Sequence, residues 1–521
     1  MLLSGVFAQG HNAGKFASNP ILSADVPDVA VVRVGDTYYM SSTTMHLSPG
    51  LPIMKSRDLV NWQIVGYAYD TLGDNDALTL QNGKNAYGAG SWASSLRFHN
   101  GTFYVSTFSS TTGKTHVYTT KDIEKGLWKE ASFSPALHDH SLFFDDDGRV
   151  YMIHGAGNIR LTELTAEVSG IKPGGVNQVI ITNASRVAGP NIGLPAEGSQ
   201  MRKIKGRYYL LNITWPMGGI RTQIVHRSDK LTGPYEGRVA LSDAGVAQGG
   251  LVDTSQGDWY ALLFQDHGAV GRTPFLVPVK WEDGWPVMGV EGKVPTTLKI
   301  LSRAGGLGNI VAPDEFERIP GQPALPLAWQ WNHNPDNKYW SLSQRPGFLR
   351  LTTGRLDAEL VHARNSLTQR TFGPECSGTV ALDVSNMKDG DFAGLALLQK
   401  KYGFVGVKMS GAAKSVVMVR AESNSPVEEE SVLLDGKTVL LKVECDFKKQ
   451  TDKAYFFYSF DGQKWTAIGK TLQMAYTLPH FMGYRFALFN YATKTTGGFV
   501  DFDYFRVSDK MTGVNQARAE Q

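Results

Sequence analysis

Cysteine is nearly absent. The 521-residue chain holds two, Cys376 and Cys445, both in its second half. That excludes a disulfide-stapled scaffold and a cysteine-built metal cluster, leaving two buried free thiols as the expected state and one bridge as the alternative. No apolar run approaches the ~18 residues that a membrane-crossing helix needs. Charge of one sign is also scarce: 52 Lys and Arg against 49 Asp and Glu give a net +3. No basic run is long enough to track a phosphate backbone, so nucleic acid is not an expected partner. The chain lacks a G-x-S-x-G elbow, an H-E-x-x-H helix and a dinucleotide glycine fingerprint. Their absence removes the chemistries those motifs serve, and without sustained helical periodicity a bundle is excluded too.

Glycine and aromatic residues are what is plentiful: 56 Gly and 11% Phe, Trp and Tyr. That texture favours sheets joined by tight turns, and the length is too great for one core. A unit first seen at Asp28–Tyr39, DVAVVRVGDTYY, recurs. The glycine-plus-aromatic pair falls at Gly35 with Tyr38 and Tyr39, Gly101 with Phe103 and Tyr104, and Gly148 with Tyr151. It falls again at Gly206 with Tyr208 and Tyr209, and at Gly257 with Trp259 and Tyr260. Five repeats roughly 45–65 residues apart suit the blades of a propeller with loops of varied length. A second turn, Ser56–Trp62 and its counterparts at Asp122 and Asp229, reads as the hairpin into each outer strand.

A step back of seven residues from Gly35 reaches Asp28, and a step of nine from each of the other glycines reaches Trp92, Asp139, Glu197 and Gln248. If each unit is a blade whose first strand lines the axis, these five residues meet in one pocket, and three are acids. Glycosidic cleavage needs one carboxylic acid to protonate the leaving oxygen and one carboxylate to activate water or attack. Acids gathered at one hub raise each other's proton affinity, which keeps one of them protonated as a general acid. Asp25 is a rival to Asp28. His138 and His140 flank Asp139, and strand alternation predicts that both face away from it, which argues against a metal held by all three. Asp145-Asp146-Asp147-Gly148 lacks the twelfth-position acid of a calcium loop and reads as a hairpin turn.

The domain plan read from the sequence is an N-terminal extension 1–17, a five-bladed propeller 18–300, a Gly- and Pro-rich linker 301–312, a β-sandwich 313–510 and a tail 511–521. The opening MLLSGVFAQG has the look of a signal remnant ending at Ala8, so export to the periplasm or exterior is the expectation. In the second half, strands such as GTVALDVS and KTVLLKVECDF recur every 10–20 residues or so, as in a two-sheet sandwich.

These features resemble glycoside hydrolase family 43. The likeness is carried by NPILSADVPDVAVVRVGDTYYM, SWASSLRFHNGTFYV, HDHSLFFDDDGRVYMIHG, AEGSQMRKIKGRYYLL and GGLVDTSQGDWYALLFQDHGAVGRTP. The resemblance implies a five-bladed propeller with a concanavalin-like jelly-roll sandwich, acting by inversion. It implies Asp28 as general base, Glu197 as general acid, Asp139 as the residue that orients and tunes that acid, and a gap of ~6.5–9.5 Å between acid and base. Val29 and His140 stand where the family commonly has proline.

Trp92, Arg272, Trp215 and His46 are the expected sugar contacts, the indoles because a sugar's apolar face packs on a ring. The resemblance also implies a structural calcium, at His267 on the propeller axis and at Asp314 and Asp503 in the sandwich, with no cofactor needed for chemistry. The expected activity is exo-acting release of terminal α-L-arabinofuranosyl or β-D-xylosyl units from hemicellulose oligosaccharides. The alternatives are a β-xylosidase proper and a non-catalytic carbohydrate-binding propeller.

Overall fold

The computed structural model describes residues 16–301, 307–319, 324–422 and 425–513. The possible signal remnant, Gly305 and Gly306 of the connector, and residues 514–521 of the tail lie outside the described residues.

The first part is a five-bladed propeller. Each blade is a four-stranded antiparallel meander, and the innermost strands are Ala30–Val34, Ser95–His99, Ser141–Phe144, Ile192–Ile204 and Ala247–Asp253. Each inner strand packs beside the next, and the last returns to the first. Apolar side chains fill the gap between each pair of blades. Val31, Leu262 and Leu276 close blade 1 on blade 5, while Leu96, Val105 and Tyr39 join blades 1 and 2. Burial of these faces is what holds a ring of sheets that share few hydrogen bonds. The pair Phe16–Ser18 and Thr297–Leu301 ties the two ends of the propeller together, and Arg33 adds an ion pair to Asp253 across the same seam.

The turn that follows each third strand is built as its sequence suggests. At Ser56–Trp62, Asp58 accepts backbone N–H bonds from Val60 and Asn61, the side-chain-stabilised turn that Asp favours. Trp62 is buried and bonded to Leu59, and Trp285 is likewise buried in blade packing. Asp145 accepts from Lys203 and Tyr208, so the acid run is a hairpin anchor.

Two sheets of eight strands form the sandwich. Cys376 and Cys445 sit opposite one another on adjacent strands, fully buried and free. One sandwich sheet ends in a strand that belongs to the propeller: Leu47–Ser48 pairs with Gln330–Asn332. The sandwich has therefore captured the loop after the first return strand, and this corrects the expectation for His46. Its ring is buried between the domains, bonded through Nε2 to Asn332 at 3.0 Å and packed against Tyr87, His333 and His480. It is not among the residues that line the cavity at Asp28 and Asp139.

Asp25 is a second clasp. Its carboxylate accepts the N–H of Arg272 in the propeller and of Gly483 in the sandwich, while Arg370 donates to its carbonyl. Both oxygens are thus committed, Oδ1 within the propeller and Oδ2 to the sandwich, and the rivalry with Asp28 falls away.

Candidate active site

Three of the five hub residues hold left-handed backbone: Asp28 at φ 52°, Asp139 at 47° and Gln248 at 58°. For non-glycine residues that conformation costs of order 1–3 kcal/mol each and persists where the surroundings impose it. Asp28 and Asp139 stand just before their inner strands, so each carboxylate is delivered by a bent entry rather than by the pleat. Glu197 arrives differently. It lies within Ile192–Ile204 with a bulge on either side, between Leu194 and Glu197 and again between Glu197 and Gln200. Bulges re-aim a side chain and break local pairing. Gly198, at φ +65°, follows it, and a Cβ there would meet the Gln248 side chain at 2.8 Å.

The acids do converge. Asp28, Asp139 and Gln248 line one small cavity of about 10 Å³, together with Gly198 and Gln200. Asp139 Oδ2 accepts the Gly198 N–H at 3.0 Å and its carbonyl accepts Ser199 N–H at 3.1 Å, so Asp139 holds the backbone that presents Glu197. His138 Nε2 lies 3.1 Å from Glu197 Oε2. His138, Asp139 and Glu197 bring ligand-capable atoms within 4.8 Å of one another.

That last fact corrects the alternation argument for His138. Asp139 is in left-handed backbone and the strand begins only at Ser141, so neighbours do not take opposite faces. His138 turns to Glu197, whereas His140 is buried and bonded to Leu137 and Ser106.

Electrostatics follow the packing. Burial pushes the Asp139 carboxyl up to about 7; the charges of Glu197 and Asp28 add to the rise, while His138 and the Gly198 N–H oppose it. Burial also raises Asp28, against the pull of Arg272 and Arg221. Arg272 Nη1 donates to Asp28 Oδ1 at 2.9 Å, with both groups buried. Burial draws the His138 imidazole down, but its bond to Glu197 and the nearby carboxylates lift it above its ordinary value. A buried site with several mutually perturbed acids is a candidate for proton-transfer chemistry.

Two aromatic walls flank the acids. Trp92 stacks on Phe108 and meets Phe481, which the sandwich supplies, at a ring separation of 5.0 Å. The Arg272 guanidinium lies 4.3 Å from the Phe481 ring centre. Sequence reading missed Phe481, because nothing in its local pattern tells that its loop reaches the other domain. Trp215 stands half-exposed on the blade-4 hairpin, its indole N–H bonded to Gly219 and the Arg221 guanidinium over its ring.

Among the described residues, the expected calcium residues His267, Asp314 and Asp503 fall in no cluster of three or more His, Cys, Asp or Glu donors. Both oxygens of Asp314 are taken by Arg318, with Trp329 and the Phe316 N–H completing the set. Asp503 is exposed on its strand. His267 sits near the domain seam, its Nδ1 beside Gln265 and its surroundings including Asp452. Among the described residues it joins no cluster of three His, Cys, Asp or Glu donors.

Comparison with known proteins agrees with this architecture. The description "Glycosyl hydrolases family 43" matches residues 17–286, and "Beta xylosidase C-terminal Concanavalin A-like domain" matches residues 314–508. A protein named Beta-xylosidase from Formosa agariphila is 30% identical over 94% of this chain and 89% of its own length. The non-reducing end alpha-L-arabinofuranosidase BoGH43B of Bacteroides ovatus is 29% identical over 65% of each chain. A solved structure described as bifunctional GH43-CE, from Bacteroides eggerthii, superposes with a TM-score of 0.95 at 61% identity. That likeness covers 96% of this chain, which spans 64% of the bifunctional protein. With a family match over more than half its length and its two-domain plan shared by relatives, this chain belongs to glycosyl hydrolase family 43.

Proposed function

We propose that this protein is an exo-acting, inverting glycosidase that releases terminal α-L-arabinofuranosyl or β-D-xylosyl units from hemicellulose oligosaccharides. The observation that carries the reading is the gathering of acids from three different blades: Asp28 and Asp139 line one buried cavity, and Asp139 feels the charges of both Asp28 and Glu197. Relatives named for β-xylosidase and for α-L-arabinofuranosidase activity support the two sugars.

In the proposed reaction Glu197 gives its proton to the glycosidic oxygen while Asp28 takes a proton from water attacking the opposite face. Asp139 positions Glu197 through Gly198 and Ser199. Arg272 orients Asp28 through their hydrogen bond and is the proposed donor to a sugar hydroxyl. Trp92 and Phe481 offer ring faces for the apolar side of the sugar. In line with the possible signal remnant, we place the enzyme outside the cytoplasm.

The test is nitrophenol release from p-nitrophenyl α-L-arabinofuranoside and p-nitrophenyl β-D-xyloside. Turnover of either supports the reading, and the ratio of the two rates gives the preferred sugar. A folded protein that releases neither, yet binds xylo-oligosaccharide, would leave the carbohydrate-binding propeller instead.

A further inference from the structure

The inner strand of blade 4 is unlike those that follow the other two acids. Asp28 and Asp139 stand just before strands of five and four residues, whereas Glu197 lies inside a strand of thirteen that starts five residues ahead of it. The partner strand Arg207–Pro216 stays paired to that end, with Pro216 opposite Ile192. The hairpin that presents Glu197 therefore runs on past the acids toward solvent. Exposure rises along it: Ile213, opposite Glu197, is buried, Trp215 is 41% exposed and Met217 70%. At about 3.4 Å per residue, Trp215 stands roughly 7 Å beyond Ile213.

The ring is exposed yet fixed. Its indole N–H donates to the Gly219 carbonyl at 2.9 Å across the turn, and the Arg221 guanidinium lies over it, 5.4 Å from the ring centre. Arg221 is tethered in its turn. It pairs with Asp266 at 2.7 Å, Asp266 lies 3.4 Å from Arg272 Nε, and Arg272 holds Asp28. A continuous chain of contacts thus ties the exposed indole to the buried base. Met217 and Ile220 continue the exposed apolar surface around the turn. A ring already held in place loses little freedom when a flat apolar ligand face packs on it, which suits a platform better than a packing element.

Reaction geometry decides which sugar meets it. The unit that is released must reach Asp28 and Asp139, both buried at the hub. Glu197 protonates the oxygen that joins this unit to the rest of the chain. Whatever follows that oxygen lies outward of Glu197, along the hairpin, where Trp215 stands.

We propose that Trp215 is the platform for the sugar on the leaving-group side of the scissile bond, and so determines which acceptor chains are cleaved well. The inference rests on the hydrolase reading and adds to it a residue that distinguishes one leaving group from another. One hairpin then carries both the acid for the leaving oxygen and the surface for the leaving sugar.

The test compares two substrates that both need the acid, only one of which has a leaving sugar: xylobiose and methyl β-D-xyloside. If the nitrophenol assay shows preference for arabinofuranose, α-1,5-arabinobiose and methyl α-L-arabinofuranoside replace them. Trp215→Ala should lower kcat/KM on the disaccharide about ten-fold or more beyond its effect on the methyl glycoside. Trp215→Phe, which keeps a ring, should recover most of that difference. A variant that merely displaced Glu197 would lose equally on both substrates, because methanol and a sugar depend alike on proton donation. Equal losses, an unchanged rate on the disaccharide, or a Phe variant no better than Ala would each overturn the proposal. Failure of the hydrolase reading is seen separately, as a wild-type protein that releases nitrophenol from neither aryl pentoside.

Discussion

Asp139→Asn should make the protein more stable at neutral pH and far less active. In the unfolded chain this carboxyl ionises near 3.8, and in the fold burial lifts it to about 7. Below pH 3.8 both states hold the proton and the group does not affect stability. Between 3.8 and 7 the folded state binds the extra proton, so stability drains as pH rises. Above 7 the full penalty is present.

Three units at about 1.4 kcal/mol each give about 4 kcal/mol as the ceiling. Part of the gain is lost with the substitution, since His138 no longer has Asp139 to favour its charged form. A net gain of about 2 kcal/mol, or a rise in Tm of about 2–3 °C at pH 7.5, is expected. Asparagine keeps an oxygen to accept the Gly198 N–H, so the backbone at Glu197 should hold. Calorimetric scans of both proteins from pH 4 to 8 are the assay. The difference should be largest above pH 7 and should vanish toward pH 4. An Asn variant that is less stable at pH 7.5, or a gap that does not change with pH, would refute the reasoning.

Other outcomes follow from the domain seam. Asp25→Ala strands the buried N–H groups of Arg272 and Gly483; a loss of about 2–5 kcal/mol in urea unfolding is expected, and an unchanged midpoint would contradict the clasp. Phe481→Ala removes the wall that meets Trp92 and Arg272, so kcat/KM on the aryl pentosides should fall about 10–100-fold with little change in Tm. Equal kcat/KM would place the sugar elsewhere. Burial lowers His46 to about 3 and holds His333 and His480 well below their ordinary range. The unfolded chain binds those protons near 6.5, so stability should fall as pH drops from 6.5 toward 3. His480→Phe keeps the stack on Tyr87 and should flatten the slope of stability by about 1.4 kcal/mol per pH unit; an unaltered slope would remove the cluster as the cause.

Much of the architecture is legible in the chain because a propeller repeats its signals. Gly35, Gly101, Gly148, Gly206 and Gly257 each mark the hairpin after an inner strand, and the residues before them share a phase that three acids make conspicuous. Position within the unit tells where a residue starts, though not how it points. His138 eluded alternation because Asp139 has a positive φ, a property that two flanking histidines do not reveal. Contacts between the domains were illegible for another reason. His46, Asp25 and Phe481 take their roles from partners hundreds of positions away, such as Asn332 and Gly483, and no local pattern records such pairings. Asp314 shows the limit of carrying over a role by position alone, since an arginine four residues on occupies the place expected for an ion.

The central claim is that acids from separate blades act together at the hub, with Glu197 as the proton donor. Glu197→Ala should be compared on two xylosides, one with a 2,4-dinitrophenolate leaving group and one with a sugar, xylobiose. An acid donor matters little to a leaving group that departs unprotonated and greatly to one that cannot, so the loss should be slight on the first and about 100-fold or more on the second. Equal losses on both, in a folded protein, would contradict the account.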